Sequence, residues 1–257
     1  MPEPELLAGK TIVVTRPAEQ ARNMLASLQR YRAKVVHFPA LIIRAPEDAG
    51  PATRLLRNLA EYDTVIFSSA NAVHYAIQLL QAQHVTVAPR CIAAMGPATR
   101  TALESHGLWA DIMPDTGFTS EDLLAHEGLQ GQSFLVVRGV GGREYLAREL
   151  RARGARVDIA EVYRRVCPNT RPAESLGLYP AIHSAVLAYS GESMQNLWTL
   201  CTSDEQAWLA GVSLIAGSAR IARTCAAMGF TKTPIIASNA SDDAMLDALL
   251  AWALGQH

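Results

Sequence analysis

Short runs of apolar and β-branched residues recur along the chain, and stretches with helical periodicity separate them. The runs lie at residues 11–15, 34–43, 64–67, 91–95, 134–137, 156–162, 185–189, 213–216 and 234–237. Strands that alternate with helices in this way are typical of parallel α/β structure. The alternation constrains the fold more than any single motif does, and it predicts open parallel α/β sheets.

Two extended segments break this alternation, and we expect the chain to cross there between two domains. The first, residues 36–46, is too long for one ordinary strand and contains Pro39 and Pro46, which restrict the residues before them. The second, residues 160–168, has a similar character. Two crossings imply that one domain is inserted into the other.

The simplest architecture therefore has two α/β domains with a substrate cleft between them. Residues 1–36 and 170–257 form a discontinuous domain, residues 51–158 form the inserted domain, and residues 37–50 and 159–169 pair as a two-stranded β connector. The pairing of the two crossing segments is inferred from topology. A chain of 257 residues, 49% of them hydrophobic, is long enough for two such cores.

Charge and the first residues limit the partners of the chain. Lys and Arg total 23 against 24 Asp and Glu, a net charge of -1, so we expect no nucleic-acid partner. Residues 1–7 carry acids instead of a basic signal region. No apolar run approaches the roughly 18 residues that span a bilayer. We therefore expect a cytoplasmic protein with no membrane partner.

The familiar cofactor and metal motifs are missing. The sequence contains neither GxGxxG after a strand nor GxxxxGK[ST], so no nucleotide cofactor is predicted. The seven histidines lack the spacing of metal ligands, and the four cysteines lie far apart without a CxxC pair. We expect no metal and no cofactor.

Several strands end in small or hydroxyl residues just before a helix pattern. At the carboxyl edge of a parallel sheet, such turns present helix N–H groups that favour anions. Helix capping explains the hydroxyls equally well, and the two roles can coexist. A glycine-rich turn with two arginines follows the strand at 134–137, and those arginines either bind an anion or tie the loop to nearby acids. The candidate binding residues are Ser68, Ser69, Asn71, Gly96, Arg138, Gly139, Arg143, Ser190, Ser193, Gly217 and Ser218.

Short motifs along nearly the whole chain gain meaning when they are read together. They are TIVVTRP at 11–17, HFPALI at 37–42, YDTVIFSSANAV at 62–73, AMGPAT at 94–99, TSEDLL at 119–124, RGVGGR at 138–143, EVYRR at 161–165 and YSGES at 189–193. In order and spacing this set resembles the uroporphyrinogen-III synthase family. The resemblance implies two flavodoxin-like parallel-sheet domains joined by a two-stranded connector.

The resemblance also implies an activity. Members of the family are cyclising lyases of tetrapyrrole biosynthesis, which close linear hydroxymethylbilane into uroporphyrinogen III with inversion of ring D and loss of water. Tyr163 matches a tyrosine thought to help the leaving hydroxyl depart, and Thr99 is a second catalytic candidate by match. Where many members carry a threonine after the glycine matched by Gly217, this chain has Ser218 and Ala219, so a hydroxyl role there passes to Ser218.

The partners follow from the same resemblance. It implies a monomer that binds the linear tetrapyrrole and makes a transient contact with hydroxymethylbilane synthase.

Two other classes of protein fit the same pattern of residues. A noncatalytic two-domain binding protein would also use crossing strands and carboxyl-edge sites. A different small-anion enzyme or a regulator on flavodoxin-like domains is the second alternative, because fold analogy alone does not fix function. Turnover of the bilane with ring inversion separates the synthase from both.

Overall fold

The structure is a computed structural model that describes residues 5–84, 89–169 and 180–255. The chain forms two compact units. Unit 1 consists of Met1–Ile42 and Val166–His257, and unit 2 consists of Ile43–Arg165. The outer edges of the predicted discontinuous domain, at residues 1, 170 and 257, lie outside the described residues.

Unit 1 is built on a five-stranded sheet. Its elements in chain order are β1 (Thr11–Val14), α1 (Ala18–Arg30), β2 (Lys34–His37), β8 (Ser184–Ala188), α7 (Gly191–Leu200), α8 (Ser203–Ala210), β9 (Ser213–Ala216), α9 (Ala219–Met228), β10 (Ile235–Ile236) and α10 (Asp242–Ala253), numbered along the whole chain. The strand order is β10-β9-β8-β1-β2, and the neighbouring strands pair in parallel.

Both faces of the unit 1 sheet are buried. Val13 points to one face, where buried residues of α7 and α9 pack, whereas Ile12 and Val14 point to the other, against α1 and α10. Successive residues of a strand face opposite sides, and a parallel sheet with helices on both sides therefore needs apolar residues at consecutive positions. This requirement explains the uninterrupted apolar runs in the sequence.

Unit 2 is built on a second five-stranded sheet. Its elements are β3 (Ile42–Arg44), α2 (Gly50–Arg57), β4 (Thr64–Phe67), α3 (Ala70–Ala82), β5 (Ile92–Ala94), α4 (Pro97–Ser105), α5 (Ser120–Ala125), β6 (Ser133–Gly139), α6 (Tyr145–Ala152) and β7 (Arg156–Val166). The strand order is β3-β7-β6-β4-β5. Val65 and Phe67 face the core with α2, α3 and α4, and Ile66 faces the core with α5 and α6. The prediction of α/β structure with parallel sheets is confirmed.

The two extended segments enter these sheets in different ways. The first segment, residues 36–46, is divided between two strands, because β2 ends at His37 in the unit 1 sheet and β3 begins at Ile42 beside β7. β7 also pairs with β6 over most of its length, so β3 and β7 both belong to the unit 2 sheet. None of the helices within the described ranges is long and apolar enough to cross a membrane.

The turn after β9 depends on a glycine. Gly217 is buried, and a Cβ atom there would lie 2.6 Å from the Cβ and 2.9 Å from the Cα of Ala240. We predict that Gly217→Ala lowers the free energy of unfolding by about 1–3 kcal/mol, because backbone must shift to admit the methyl group. Urea denaturation measures this change.

Gly211→Ala is the matched control in the same unit. Its added Cβ would meet nothing nearer than 3.6 Å, and its φ of -96° suits alanine. The control should change stability by less than about 0.5 kcal/mol. Equal denaturation midpoints for the two variants would contradict the predicted clash.

Candidate active site

Each sheet has a point where the strand order reverses direction. In unit 1 it lies between β1 and β8, and in unit 2 between β4 and β6. Open parallel sheets bind ligands outside the carboxyl ends of the strands at such a switch point. The carboxyl edges around these two points are therefore where a ligand is expected to bind.

Ser69 is a polar residue at the unit 2 switch point. It follows β4 and caps α3, since its Oγ accepts a hydrogen bond of 3.1 Å from the Ala72 N–H. The same Oγ lies 3.2 Å from the Tyr163 hydroxyl. Ser68 and Asn71, on either side of this cap, are partly buried. The serine predicted as a cap and a binding residue thus contacts the predicted catalytic tyrosine.

A β-bulge sets the position of Tyr163. Arg138 in β6 is opposite Glu161 in β7, but Gly139 is opposite Tyr163, so Val162 is an extra residue in β7. A one-residue shift of register moves a side chain to the other face of a sheet, and bulges redirect side chains in this way. The extra residue therefore turns Tyr163 towards Gly139.

Tyr163 is tightly enclosed. A Cβ atom on Gly139 would lie 2.6 Å from the Tyr163 Cζ, so only glycine leaves room for the phenol ring at this position. The ring of Tyr75 lies 6.0 Å away, and its hydroxyl donates to the Ile43 carbonyl at 2.9 Å. Tyr163 is only 5% exposed. The structure thus holds its hydroxyl in one place, against Ser69.

Gly96 and Thr99 lie after the neighbouring edge strand, β5. Gly96 is the N-cap residue of α4, and Thr99 is buried in the first turn, where its N–H donates to the Gly96 carbonyl at 3.0 Å. Phe118 lies directly over Gly96, because a Cβ on this glycine would be 3.1 Å from the Phe118 Cβ. Thr99 is therefore placed at the same edge as Ser69, on another helix.

Arg138 anchors the glycine-rich turn. Its guanidinium donates to the Arg143 carbonyl at 3.0 Å, to Glu144 and to Glu161 at 3.2 Å. Its side chain is 8% exposed, and its buried Nε has no hydrogen-bond partner among the described residues. The Arg138 guanidinium lowers the pKa of Glu144. Of the two predicted outcomes for this arginine, the structure shows the tie between the loop and nearby acids.

Arg143 is much more open. Its side chain is 68% exposed and forms an ion pair of 2.9 Å with Glu121 at the start of α5. A surface pair of this kind is weak and readily exchanged, so Arg143 remains accessible to an anionic ligand.

The unit 1 candidates are helix caps. Ser190 caps α7 by accepting from the Ser193 N–H at 3.1 Å, and its hydroxyl donates to the Ser193 Oγ at 2.9 Å. Ser218 caps α9 by accepting from the Ile221 N–H at 3.3 Å, and Gly217 precedes it. These residues lie at the carboxyl ends of β8 and β9, as predicted.

The sequence reasoning missed a polar cluster at the unit 1 switch point. Arg16, after β1, pairs with Asp242 at 2.7 Å and stacks on the Tyr189 ring at 4.4 Å, and the Tyr189 hydroxyl donates to Asp242 at 3.1 Å. Burial and the Asp242 charge raise the pKa of Tyr189. The available signal was that Arg16 and Tyr189 each follow a strand, with Asp242 opening a helix. The described segments contain no group of three or more His, Cys, Asp or Glu side chains that could hold a metal ion.

The fold places this chain in a class of α/β protein with two parallel sheets. At the carboxyl ends of the strands, glycine turns and capped helix N-termini follow. The family model described as Uroporphyrinogen-III synthase HemD matches residues 23–247. The chain therefore belongs to the uroporphyrinogen-III synthase family. The predicted class of enzyme, a cyclising lyase of tetrapyrrole biosynthesis, is confirmed by this membership.

Curated relatives agree with the family model. A uroporphyrinogen-III synthase of Synechococcus elongatus is 30% identical over 257 residues, which cover 96% of this chain and 97% of the relative. That of Salmonella typhimurium is 31% identical over 246 residues, which cover 93% of this chain and 99% of the relative. The likeness thus extends through both units.

Solved structures share the fold. A mutant uroporphyrinogen III synthase from Thermus thermophilus superposes with a TM-score of 0.62 at 18% identity, covering 96% of this chain and all of the other. The Helicobacter pylori synthetase gives 0.59 at 17% identity, covering 95% of this chain and 99% of the other. At these identities the two comparisons show a shared fold alone.

We predict that Arg138→Met destabilises unit 2. The variant loses hydrogen bonds to two carboxylates and one carbonyl, and we expect the free energy of unfolding to fall by about 1–3 kcal/mol at neutral pH. Pairing with Arg138 lowers the pKa of Glu144 below its usual 4.5, so the part of the stabilisation that comes from this pair is present above pH 4.5 and is lost as the pH falls further. The difference between wild type and variant should therefore shrink in acid, as urea denaturation at two pH values would measure.

Arg148→Met is the matched control, since Arg148 is 66% exposed and pairs with neighbouring Glu149. It should change stability by less than about 0.5 kcal/mol. If Arg138→Met were as stable as wild type at neutral pH, the anchoring role would be wrong.

Proposed function

We propose that the chain converts hydroxymethylbilane into uroporphyrinogen III, closing the ring with inversion of ring D and release of water. The observation that carries this proposal is the contact of the Tyr163 hydroxyl with Ser69 at the unit 2 switch point, in a chain of this family. A hydroxyl fixed at a ligand-binding edge is suited to assist a leaving hydroxyl group.

The reaction asks for positioning and one proton. Departure of hydroxide from the methylene on ring A leaves an electrophilic azafulvenium cation, which the substituted carbon of ring D attacks to give a cationic spiro intermediate. Fragmentation and reclosure then invert ring D, and the proton lost on ring closure balances the departing hydroxide as water. The step is redox-neutral. The protein must hold the chain in the attack geometry and assist the departing hydroxyl.

Tyr163 is the proposed donor to that hydroxyl. Ser69 Oγ already accepts from the Ala72 N–H, so its own O–H is free to donate to the Tyr163 oxygen. In that arrangement the phenolic proton of Tyr163 is left for the substrate. Thr99, in the first turn of α4 at the same edge, is the second proposed catalytic residue.

The substrate carboxylates are proposed to meet helix N-termini and an exposed arginine. N–H groups follow the caps of α3, α4, α7 and α9, and the helix dipole favours anions there. Arg143 is the better placed of the two arginines for a propionate, because Arg138 is enclosed by its own partners. Ser68, Asn71 and Gly139 complete the proposed contacts of unit 2.

The setting of the enzyme is proposed from the same family relationship. We expect a cytoplasmic monomer without a resident cofactor or metal, which receives its substrate in transient contact with hydroxymethylbilane synthase. Rapid transfer would be useful because the free bilane can close without inversion.

The proposed reaction is tested with purified protein and freshly made hydroxymethylbilane. After oxidation, the uroporphyrin isomers are separated and counted. We expect predominantly isomer III, formed faster than the spontaneous closure. Isomer I alone, at the spontaneous rate and with folded protein, would leave a binding protein as the better interpretation.

We predict that Tyr163→Phe lowers kcat by about tenfold to a hundredfold, because the variant keeps the ring and loses the proton donor. The unfolding midpoint should change little. Tyr75→Phe is the matched control: the neighbouring ring loses a hydroxyl that donates to the Ile43 carbonyl, and kcat should stay near that of wild type. Unchanged turnover in Tyr163→Phe would remove its proposed role in proton donation.

A further inference from the structure

Phe118 is an exposed aromatic residue at the carboxyl edge of the unit 2 sheet. It precedes α5 in the loop that returns to this edge, and 41% of its surface is exposed. Trp109 is even more exposed, at 69%, but it lies in the loop that leads to the amino end of β5, where the Asp111 N–H donates to the Ile92 carbonyl. The two exposed aromatic residues thus lie at opposite edges of one sheet.

The backbone at Phe118 is strained. Its φ is +53°, a left-handed conformation that bulky residues rarely adopt. The flanking residues hold it there. Thr119 and Asp122 form the capping box of α5, and Gly117, at φ +77°, leaves room for the Asp122 carboxylate. Strain maintained by its surroundings is concentrated at functional sites.

Gly96 provides the floor for the ring. A Cβ on Gly96 would lie 3.1 Å from the Cβ and 3.3 Å from the Cγ of Phe118, so Phe118 packs directly on the N-cap residue of α4. One side of Phe118 is covered by this backbone, while 41% of its surface remains exposed. The result is an apolar surface beside the first N–H groups of a helix.

An apolar surface beside helix N–H groups is complementary to a linear tetrapyrrole, which carries flat pyrrole rings with carboxylates at their rims. Aromatic rings pack face to face with an offset or edge to face, and the helix N–H groups would meet a rim carboxylate. We propose that Phe118 is a substrate-binding residue that packs against a pyrrole ring of the tetrapyrrole. The inference rests on the proposed function and adds to it a specific apolar contact.

The test compares Phe118→Ala, Phe118→Leu and Phe118→Tyr with wild type. Two quantities are measured: KM for hydroxymethylbilane, and the Kd of uroporphyrin III from quenching of protein fluorescence. We expect both to rise about tenfold in Phe118→Ala, with kcat within about twofold of wild type. Phe118→Tyr, which keeps the ring, should restore both values. Phe118→Leu, which keeps apolar bulk, should fall between and decides the matter if the alanine variant fails to fold.

Trp109→Ala is the matched control, because it removes a more exposed aromatic ring from the opposite edge. It should leave KM and Kd unchanged. Equal affinities in wild type, Phe118→Ala and Phe118→Leu would overturn the inference, and so would an equal loss in Trp109→Ala. If wild type yielded no isomer III, the proposed reaction would fail, while the uroporphyrin affinities would still decide the role of Phe118.

Discussion

The parallel pairing of β1 with β8 is the interaction on which the organisation of the chain depends. It joins segments far apart in sequence, as the hydrogen bond of 3.2 Å from the Thr15 hydroxyl to the Leu187 carbonyl spans 172 positions. Without this pairing, β1 and β2 would have no sheet to join. The same pairing creates the switch point of unit 1, where Arg16 and Tyr189 meet over Asp242. A contact that closes the fold therefore also places polar groups at a ligand-binding edge.

Capping unites stability and function at both edges. Ser69, Ser190 and Ser218 each accept a hydrogen bond from a backbone N–H of the helix they begin. This bond satisfies one of the N–H groups left open at a helix start and leaves others for a ligand. The same hydroxyl can also make a second contact, as that of Ser69 with Tyr163 and that of Ser190 with the Ser193 Oγ show. The sequence led us to expect that capping and binding can coexist at these serines, and the geometry permits both.

The strands and edges could be predicted from the sequence because they depend on local patterns. β4 and β9 have the predicted bounds, and the capping serines Ser69, Ser190 and Ser218 each follow a strand. The break between β2 and β3, the extra residue Val162 and the enclosure of Arg138 depend on which strands become neighbours, and no local pattern encodes that. Phe118 was not predicted as a binding residue for a related reason: its exposure matters only once Gly96 is known to lie beneath it.

Control of product identity places different demands on the roles proposed for Tyr163 and Phe118. A bilane that can close unaided requires little help with bond formation, but inversion requires that ring D be held while the hydroxyl leaves. Tyr163 is enclosed by Gly139 and Ser69, so its hydroxyl has a fixed position, as a group acting at one atom needs. Phe118 is open on one side, and an apolar contact of this kind tolerates the changing shape of a closing macrocycle. A fixed polar group and an adaptable apolar surface at the same edge of the unit 2 sheet are therefore the arrangement that the proposed inversion requires.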